Sequence, residues 1–324
     1  MILFDNIISK LQSGGGVTVY FNNLLHGCKK NNIEYLVASD SSECHRLFER
    51  YRNCIIDRKE GVFHSSYYRL PSQRSLKVVT TVHDFTYEKF VTGPAQWVHT
   101  WQKNRAIRNS DLIICVSHNT ARDLMQYCPV DESRIRVIHN GVSDSYRQLP
   151  IKSDFNYNSV LFVGARGGYK NFHLAIDAVA AVVGLELHIV GGGALSSDEL
   201  VQLEKKLPGR YRWLGRLSDE ELNVAYNQAY ALLYPSSYEG FGIPVIEAMR
   251  AGCPVIAVNV SSIPEVAGEA AILVDSPSSF ALCDALNAVS ERRQQLVVAG
   301  LAQAAKFSWD RCFDETLAVY NELL

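Results

Sequence analysis

Short runs of valine, isoleucine and leucine alternate with amphipathic segments along both halves of this chain. Such alternation is typical of parallel β-sheets covered by helices, because strands buried on both faces appear as continuous apolar runs. The predicted strands are residues 2–8, 35–38, 77–82, 112–116 and 135–138 in the first half, and residues 160–163, 186–190, 211–214, 231–234, 255–258 and 271–274 in the second. The pattern therefore predicts an α/β fold of two doubly wound, Rossmann-like parallel sheets.

A break in this pattern separates the two halves. Between residues 148 and 159, Pro150, Lys152, Ser153 and Asp154 interrupt the apolar periodicity, which indicates a linker. A chain of 324 residues is long enough for two domains, each with its own core. We predict an N-terminal domain over residues 1–152 and a C-terminal domain over residues 153–307.

Composition narrows the classes of function. The formal net charge of −2 offers no positive excess to neutralise nucleic-acid phosphates, so no nucleic acid partner is predicted. The nine histidines and eight cysteines show no metal-site spacing, and cysteines in apolar stretches, such as Cys115, favour reduced thiols and a cytoplasmic location. The first residues carry no positive leader. The apolar stretch 174–195 contains Asp177 and Glu186 and is too polar to span a bilayer.

One segment of the second half combines two carboxylates with a glycine loop. Glu239 precedes Gly240 and Gly242, and Pro244 predicts the first position of a helix whose first turn holds Glu247. A helix N-terminus with outward-pointing amides is suited to bind a diphosphate, and the two carboxylates can accept hydrogen bonds from sugar hydroxyls. In the alternative interpretation, Glu247 only stabilises its own helix and Glu239 is a solvated loop residue.

A second segment of the same half carries two cations. Residues 159–163 predict a strand, followed by a glycine turn and by a helix that begins near Asn171. On the turn, Arg166 can bind a phosphate through two parallel N–H bonds, whereas Lys170 acts as a movable point charge. Solvated surface cations are the alternative.

With these motifs the chain resembles glycosyltransferase family 4, a family of retaining, nucleotide-sugar-dependent enzymes with the GT-B fold, and in particular bacterial O-antigen and polysaccharide mannosyltransferases. The other segments that carry the resemblance are the glycine run at 13–17, His83 with Asp84, Val116 with Ser117, and residues 139–142, 190–193, 213–217 and 248–256. The resemblance implies two domains that face a cleft. It also implies that the last helix, residues 308–324, crosses back to the first domain, although it could equally pack on the second.

The resemblance also implies roles for individual residues. The residues assigned to catalysis are His83, Arg166, Lys170 and Glu239, and those assigned to donor binding are Gly15, Gly16, Gly164, Gly192, Arg216, Leu217, Gly240, Phe241, Gly242, Ile243 and Glu247. The two cations would bind the donor diphosphate, Glu239 the transferred sugar, Glu247 the ribose, and the backbone near Arg216 the nucleobase. His83 would lie beside the reacting sugar, with a core histidine as the alternative. Asp84 could simply cap a helix.

A sugar transfer with retention of anomeric configuration is the implied reaction. The expected donor is GDP-mannose or a related GDP-sugar, and the expected acceptor is a growing, lipid-linked glycan such as O-antigen. No cofactor and no metal ion are predicted, because the chain contains no Asp-x-Asp pair to hold a divalent ion under the diphosphate. A sugar-nucleotide epimerase and a non-catalytic glycan-binding subunit are the alternatives.

A final expectation concerns membranes. Trp97 and Trp101 fall on one face of a predicted helix, near Lys103, Arg105 and Arg108. Such a face could make peripheral contact with the inner face of the cytoplasmic membrane. Burial of the two tryptophans against the N-terminal sheet is the interpretation that we favour from the sequence.

Overall fold

The computed structural model describes residues 1–11, 15–38, 49–150 and 157–324. These residues form two compact units, Met1–Gly141 with Trp309–Leu324, and Val142–Ser308. Residues 13 and 14 of the glycine run and 152–154 of the predicted linker lie outside the described part.

The N-terminal unit is built on a six-stranded sheet in which every neighbouring pair is parallel, in the order β2-β1-β3-β4-β5-β6. The strands are β1 (Ile2–Asp5), β2 (Tyr35–Ala38), β3 (Val62–Ser65), β4 (Lys77–Val82), β5 (Leu112–Cys115) and β6 (Ile135–Val137). The helices that accompany them are α1 (Ile7–Leu11), α2 (Gly16–Lys30), α3 (Thr86–Phe90), α4 (Pro94–Arg108) and α5 (His118–Tyr127). Ser117 caps α5 by accepting a hydrogen bond from the amide of Thr120.

In this unit one strand prediction was wrong and one strand was missed. The strand predicted over 2–8 ends at Asp5, because the Asp5 carboxylate accepts a hydrogen bond from the amide of Ile7 and turns the chain into α1. The strand β3 was missed. It has only two apolar residues, Val62 and Phe63, and is buried because β1 and β4 pair with it on both sides.

The C-terminal unit contains a second all-parallel sheet of six strands, in the order β12-β11-β10-β7-β8-β9. Its strands are β7 (Ser159–Val163), β8 (Glu186–Val190), β9 (Tyr211–Gly215), β10 (Ala229–Tyr234), β11 (Val255–Val258) and β12 (Ile272–Val274). Its helices are α6 (Phe172–Ala181), α7 (Ser197–Lys206), α8 (Asp219–Gln228), α9 (Ile243–Arg250), α10 (Ile263–Ala267) and α11 (Ser279–Ala304). In one core cluster of this unit, side chains from one face of the sheet, such as Val160, Leu187 and Leu233, pack with side chains of α6 and α11.

This unit begins earlier in the chain than the predicted boundary at residue 153. The side chain of Asn223 on α8 accepts a hydrogen bond from the amide of Arg147, and Asn227 binds the amide of Leu149 and the carbonyl of Arg147. These bonds attach the residues before Pro150 to the C-terminal unit, a tertiary contact that the local composition does not reveal.

The last helix, α12 (Trp309–Asn321), packs within the N-terminal unit. Phe313 lies so close to α2 that a Cβ atom added to Gly27 would be 2.3 Å from its ring. Tyr320 contributes its hydroxyl to a 2.5 Å hydrogen bond with Nδ1 of His64 on β3. Of the two placements considered for residues 308–324, the structure has the return to the first unit.

The predicted burial of the α4 tryptophans was wrong. Trp97 and Trp101 are 70% and 58% exposed, whereas Lys103, which was expected beside them, is fully buried. The Lys103 ammonium donates hydrogen bonds to the carbonyl of Asp84 and the carboxylate of Glu88, so it is this polar side chain that faces the interior. None of the described helices combines the length and apolar content needed to cross a membrane.

Candidate active site

The order of strands in the C-terminal sheet alone indicates where a ligand-binding site lies. The chain starts at β7 and adds β8 and β9 on one side, then returns to add β10, β11 and β12 on the other. Ligands of such sheets bind outside the carboxyl ends of the strands, at the point where the order reverses. Here the reversal lies between β7, which is followed by Arg166 and Lys170, and β10, which is followed by Glu239.

The two loops at this point are joined by hydrogen bonds. Asn171 adopts a left-handed conformation with φ of 52°, and its side-chain amide donates to the carbonyl of Pro235 at 2.8 Å and to Oγ of Ser237 at 2.6 Å. The amide of Ser237 in turn donates to the carbonyl of Tyr169 at 2.8 Å. Asparagine tolerates this backbone conformation better than most residues, so it both turns the chain and binds the neighbouring loop.

Lys170 and Glu239 meet where these loops converge. Lys170 Nζ lies 2.6 Å from Glu239 Oε1, and the two side chains are 14% and 11% exposed. The ammonium also lies over the rings of Tyr169 and Tyr234, 5.3 and 5.4 Å from their centroids. A phosphate at this point would compete with Glu239 for the ammonium, and a sugar hydroxyl would compete with Lys170 for the carboxylate.

Arg166 occupies a different environment from Lys170. Its Nε lies 2.7 Å from Glu199 Oε1, and its terminal nitrogens donate to the carbonyls of Gly191, Gly193 and Ala194 at 2.8, 3.1 and 2.8 Å. The side chain is only 4% exposed. In this structure the guanidinium is therefore bound to the glycine turn after β8 and to α7, and it does not project as a solvated cation.

The glycine loop leads into α9 much as the sequence indicates. Gly242 is the N-cap residue with φ of 103°, and a Cβ atom there would lie 2.8 Å from Cδ1 of Ile263, so both backbone conformation and space require glycine. Pro244 is the second residue of the helix, and Glu247 is the fifth. The prediction that Glu247 lies in the first turn was therefore wrong, since it begins the second turn.

Two serines fix the loop that carries Glu239. The amide of Glu239 donates to Oγ of Ser261, and Oγ of Ser262 donates to the carbonyls of Glu239 and Phe241, each at 2.9 Å. Ser261 has a positive φ of 51°. These contacts position the predicted donor residues Gly240 and Phe241 between β10 and α9.

Glu247 is a carboxyl group with unusual acidity. Burial raises its pKa to about 7, and the negative charge of Asp219 acts in the same direction, whereas hydrogen bonds from Tyr226 and Tyr146 lower the pKa. The Tyr226 hydroxyl donates to Glu247 Oε2 at 3.2 Å. Near neutral pH this group can therefore exist in both protonation states, and binding of a ligand can shift the balance between them.

The remaining donor residues predicted in this unit follow neighbouring strands of the same sheet. Gly164 follows β7 and donates its amide to Val190, while Gly192 lies on the turn after β8. Arg216 and Leu217 follow β9. Because the strands are parallel, all four residues lie at the carboxyl edge of the sheet.

Three predicted residues belong to the N-terminal unit. His83 follows β4, Gly15 is the N-cap residue of α2, and Gly16 is its first residue. Burial lowers the pKa of His83 to about 4, so its imidazole is neutral at pH 7. Among the described residues its Nε2 atom has no hydrogen-bond partner. Asp84 accepts a hydrogen bond from the amide of Thr86, as a capping residue would.

Sequence reasoning missed several residues that shape this site. Glu199 was not considered, although Ser196 and Glu199 have the spacing of a capping box and form one in the structure. That signal predicts the start of α7, but it gives no indication that Glu199 also binds Arg166. Tyr226, Tyr234 and the Ser261–Ser262 pair carry no motif that would have identified them.

Two family descriptions match adjacent parts of the chain. Residues 59–146 match Glycosyltransferase Family 4, and residues 147–303 match Glycosyl transferases group 1. The chain belongs to these glycosyltransferases. The predicted family and the prediction of an enzyme are thereby confirmed.

Curated relatives point in the same direction. O-antigen chain mannosyltransferase B of Escherichia coli is 29% identical over 307 residues, which cover 87% of this chain and 80% of that protein. An O-antigen chain mannosyltransferase of Salmonella typhimurium is 30% identical over 221 residues, which cover 65% of this chain and 60% of the relative.

Solved structures confirm the fold. Sucrose-phosphate synthase from Thermosynechococcus elongatus superposes with a TM-score of 0.78 at 18% identity, covering 99% of this chain and 98% of the other. WaaG, a glycosyltransferase involved in lipopolysaccharide biosynthesis, gives 0.75 at 15% identity and 99% coverage of both chains. Anabaena HepE in complex with UDP-glucose gives 0.71 at 18% identity, covering 98% and 99%. At these identities the likeness establishes the GT-B fold alone.

Proposed function

We propose that this glycosyltransferase transfers mannose or a related sugar from a GDP-sugar to a growing, lipid-linked surface polysaccharide, with retention of anomeric configuration. The names of the two O-antigen relatives support the sugar and the acceptor class. The observation that carries the proposal is the 2.6 Å pair of Lys170 and Glu239 at the reversal point of the C-terminal sheet, which supplies a cation for a diphosphate beside a carboxylate for a sugar.

In this proposal the donor lies along the carboxyl edge of the C-terminal sheet. Arg166 and Lys170 bind the diphosphate, assisted by the amides of Gly242 and Ile243, since the N-terminus of α9 favours negative charge. Glu239 binds hydroxyls of the transferred sugar and Glu247 those of the ribose. The loop that follows β9 binds the nucleobase edge.

The reaction then needs no covalent intermediate on the protein. The bond between the anomeric carbon and the diphosphate oxygen breaks, the acceptor oxygen attacks the same face, and its proton passes to a leaving phosphate oxygen. Lys170 stabilises the negative charge that develops on the diphosphate, and in this proposal transfer proceeds without a divalent ion. His83 is assigned a place beside the reacting sugar, where a neutral imidazole can exchange hydrogen bonds but does not add positive charge, and Gly15 and Gly16 are assigned to donor binding.

The donor is tested by measuring thermal unfolding with GDP, UDP, ADP and CDP. A ligand at about 100 times its dissociation constant adds roughly 2.7 kcal/mol, so GDP is expected to raise the melting temperature most. Stabilisation by UDP alone would overturn the GDP assignment but would leave the transferase assignment intact.

The reaction is tested with GDP-mannose and a lipid-linked acceptor, with and without EDTA. We expect transfer in both conditions and an NMR spectrum of the product that shows the anomeric configuration of the donor. An inverted product, a sugar trapped covalently on Glu239, or activity that requires added magnesium or manganese would each contradict the mechanism. Epimerisation of the donor without any acceptor would replace the transferase assignment with the epimerase alternative.

We also propose a cytoplasmic location with peripheral contact at the inner face of the membrane. The exposed Trp97 and Trp101 lie on α4 in one stripe with Arg105 and Arg108, and the Arg105 guanidinium lies over the Trp101 ring at 5.8 Å. Interfacial tryptophans beside arginines suit an anionic lipid surface. In sedimentation with phosphatidylglycerol vesicles, less protein should bind the vesicles when both tryptophans are changed to alanine. The control variant Trp213→Ala, at a half-exposed tryptophan of the C-terminal unit, should bind as the wild type does. Equal binding of both variants would contradict this contact.

A further inference from the structure

We propose that Asp219 controls, through the hydroxyl of Tyr146, whether Glu247 carries a proton, and that the ribose of a nucleotide sugar displaces this proton when it binds. Asp219 and Tyr146 are then positioning residues, because they act through Glu247 and not on the substrate. The inference rests on the proposed function, since it concerns the carboxylate assigned to the ribose. The motifs that carry the family resemblance include neither Asp219 nor Tyr146.

The hydroxyl of Tyr146 lies between two carboxyl groups. It donates to Oδ1 of Asp219 at 3.2 Å, and it is also in hydrogen-bonding contact with Glu247. A phenol has a single O–H proton, so it can donate to only one of the two carboxylates at a time. As long as Asp219 accepts this hydrogen bond, an ionised Glu247 lacks it.

A second tyrosine binds Glu247 from α8. The Tyr226 hydroxyl donates to Oε2 of Glu247 at 3.2 Å, and the ring of Tyr226 meets that of Tyr146 edge-on, with centroids 6.0 Å apart. Both tyrosines are buried. A carboxylate in such surroundings can be charged without a large penalty only if hydrogen bonds replace its water. Donation of the Tyr146 proton to Asp219 therefore weakens the support for the charged form of Glu247.

The backbone on both sides of Tyr146 is fixed. Its carbonyl accepts a 3.0 Å hydrogen bond from Nε of Arg250 on α9, whose terminal nitrogen pairs with Asp144. The amide of Arg147 donates to Asn223 on α8 at 2.9 Å. Because these bonds hold Tyr146 between the two helices, its hydroxyl changes partner by rotating one O–H bond.

The groups around Glu247 favour its protonated form near neutral pH. Burial raises the pKa of Glu247 to about 7, and the negative charge of Asp219 acts in the same direction. At pH 6, roughly nine molecules in ten should therefore carry the proton. The titratable groups that face Glu247 are Asp219 and Tyr226 on α8, Tyr146 before β7, and Tyr234 on β10. The helices α10 and α11 approach α9 through Ile263 and Gly300, and β11 has no titratable residue.

A bound ribose changes this balance. Its two neighbouring hydroxyls are hydrogen-bond donors, and an ionised carboxylate accepts from both, whereas a protonated carboxyl directs its own proton toward one of them. The nucleotide therefore binds the ionised form better, and the proton passes from Glu247 to solvent. Since apparent affinity scales with the fraction of binding-competent protein, it should rise about tenfold between pH 6 and pH 8.

Isothermal titration calorimetry with GDP-mannose and with UDP-glucose measures the released proton. The diphosphate of either probe is substituted at both ends and does not titrate between pH 5 and pH 8, so a proton released at pH 6 comes from the protein. Titrations in buffers of different ionisation enthalpy should show nearly one proton released per bound nucleotide in the wild type and none in Glu247→Gln. Binding by the wild type without proton release would overturn the inference.

Asp219→Asn tests the control by Asp219. Without the negative charge, Glu247 ionises more easily and the Tyr146 hydroxyl is available to donate to it. Affinity for the nucleotide sugar at pH 6 should therefore rise roughly threefold to fivefold, with no change at pH 8. Glu220→Gln, at an exposed residue of the same first turn of α8, should change neither affinity. An equal loss of affinity at both pH values would mean that Asp219 only stabilises the fold, and it would overturn the inference.

The route through Tyr146 is tested in a Tyr146→Phe background. Without the hydroxyl only the charge of Asp219 still acts on Glu247, and because Asp219 is exposed this charge is screened. Asp219→Asn should then raise the affinity at pH 6 by less than half as much as in the wild type. The same gain in both backgrounds would contradict this route.

Carboxyl ¹³C NMR of the nucleotide-free protein separates the inference from the proposed function. The signal of Glu247, assigned by its absence in Glu247→Gln, should titrate near pH 7 in the wild type and at lower pH in Asp219→Asn. This result, in a protein that binds neither GDP-mannose nor UDP-glucose, would overturn the proposed function and the displacement by ribose but uphold the control by Asp219. Titration at the same pH in both proteins would overturn that control even if GDP binds as proposed.

Discussion

Each of the two parallel sheets has a point at which its strand order reverses, and the residues at these two points differ. In the N-terminal unit the reversal lies between β1 and β3, where Arg69 pairs with Asp5 and Glu49 at 3.3 and 2.7 Å. In the C-terminal unit it lies between β7 and β10, where Lys170 pairs with Glu239. Each reversal point therefore holds a cation with a carboxylate partner.

The difference lies in burial and in the chemistry of the cation. Arg69 is 1% exposed and also donates to the carbonyls of Arg52 and Asn53, so it joins several segments of chain in the interior. Lys170 is a compact ammonium on a flexible stem, at a partly exposed edge where a ligand can reach it. Arg166 resembles Arg69 in this respect, because it too binds several carbonyls. The comparison indicates that an ion pair of this kind has a structural role when its arginine is fully buried. When its cation is a lysine at the partly exposed edge of the sheet, the ammonium is available to bind a ligand.

The largest effect on stability is expected from Arg69→Leu. Removal of the guanidinium leaves the carboxylate of Asp5 buried without this partner, and breaking a buried pair costs about 3–5 kcal/mol. Urea unfolding measures the loss. Arg52→Leu, at an exposed neighbouring arginine, should change stability by about 0.5 kcal/mol or less. A small loss at Arg69 would mean that the N-terminal pair is not the structural member of the comparison.

In contrast to Arg69→Leu, Lys170→Ala should lower activity and not stability. Loss of a cation aimed at charge in the transition state costs about 2.7–4 kcal/mol, or roughly 10²–10³ in kcat, with little change in the melting temperature. Lys205→Ala, at an exposed lysine of α7 in the same unit, serves as the control and should retain activity. A Lys170→Ala variant with a lower melting temperature but an unchanged kcat would contradict the comparison, because Lys170 would then have the structural role.

Glu247 predicts a dependence of stability on pH. Its pKa rises from an ordinary 4.5 to about 7 in the folded protein, so the folded state binds the proton more tightly than the unfolded state. The free energy of unfolding should therefore fall as pH rises through the interval from about 4.5 to 7, by about 3 kcal/mol at most. Glu247→Gln should remove this part of the dependence, whereas Glu220→Gln, at an exposed residue of α8, should not. Parallel stability curves for wild type and Glu247→Gln would contradict the assignment.

The smallest effect is expected at the start of α9. Gly242→Ala adds backbone strain at φ of 103° and a Cβ contact of 2.8 Å with Ile263, for a combined loss of about 2–3 kcal/mol. Gly209→Ala is the matched control, because its φ is 68° but an added Cβ meets no atom within 4 Å, so strain alone should cost about 1–2 kcal/mol. Equal losses would show that the contact with Ile263 relaxes without cost.

Much of the local structure could be predicted because it depends on neighbouring residues. Residues 77–82, 186–190 and 255–258 are strands with the predicted bounds. The segment 255–258 is continuously aliphatic, which suits a strand buried on both faces, and each of the other two segments contains three Val, Leu or Ile residues. Asn171 precedes a helix as expected. The strand Val62–Ser65 could not be predicted, because its burial depends on β1 and β4 and only half of its residues are apolar.

By itself, the sequence determined the α/β class, which follows from periodicity, and the family, which follows from local motifs. The same motifs determined that Lys170 and Glu239 lie beyond the ends of strands and that Glu247 lies in a following helix. Only the tertiary structure decided the strand orders, the unit to which α12 belongs, and the fate of each charged side chain. Arg166 and Lys170 lie four positions apart on one turn, yet one is bound to Glu199 and three carbonyls and the other faces Glu239. The residues that contact these two side chains belong to β8, α7 and β10 or to the loops that follow them, which are distant in the chain. A local sequence pattern therefore does not predict which of these elements a long cationic side chain contacts.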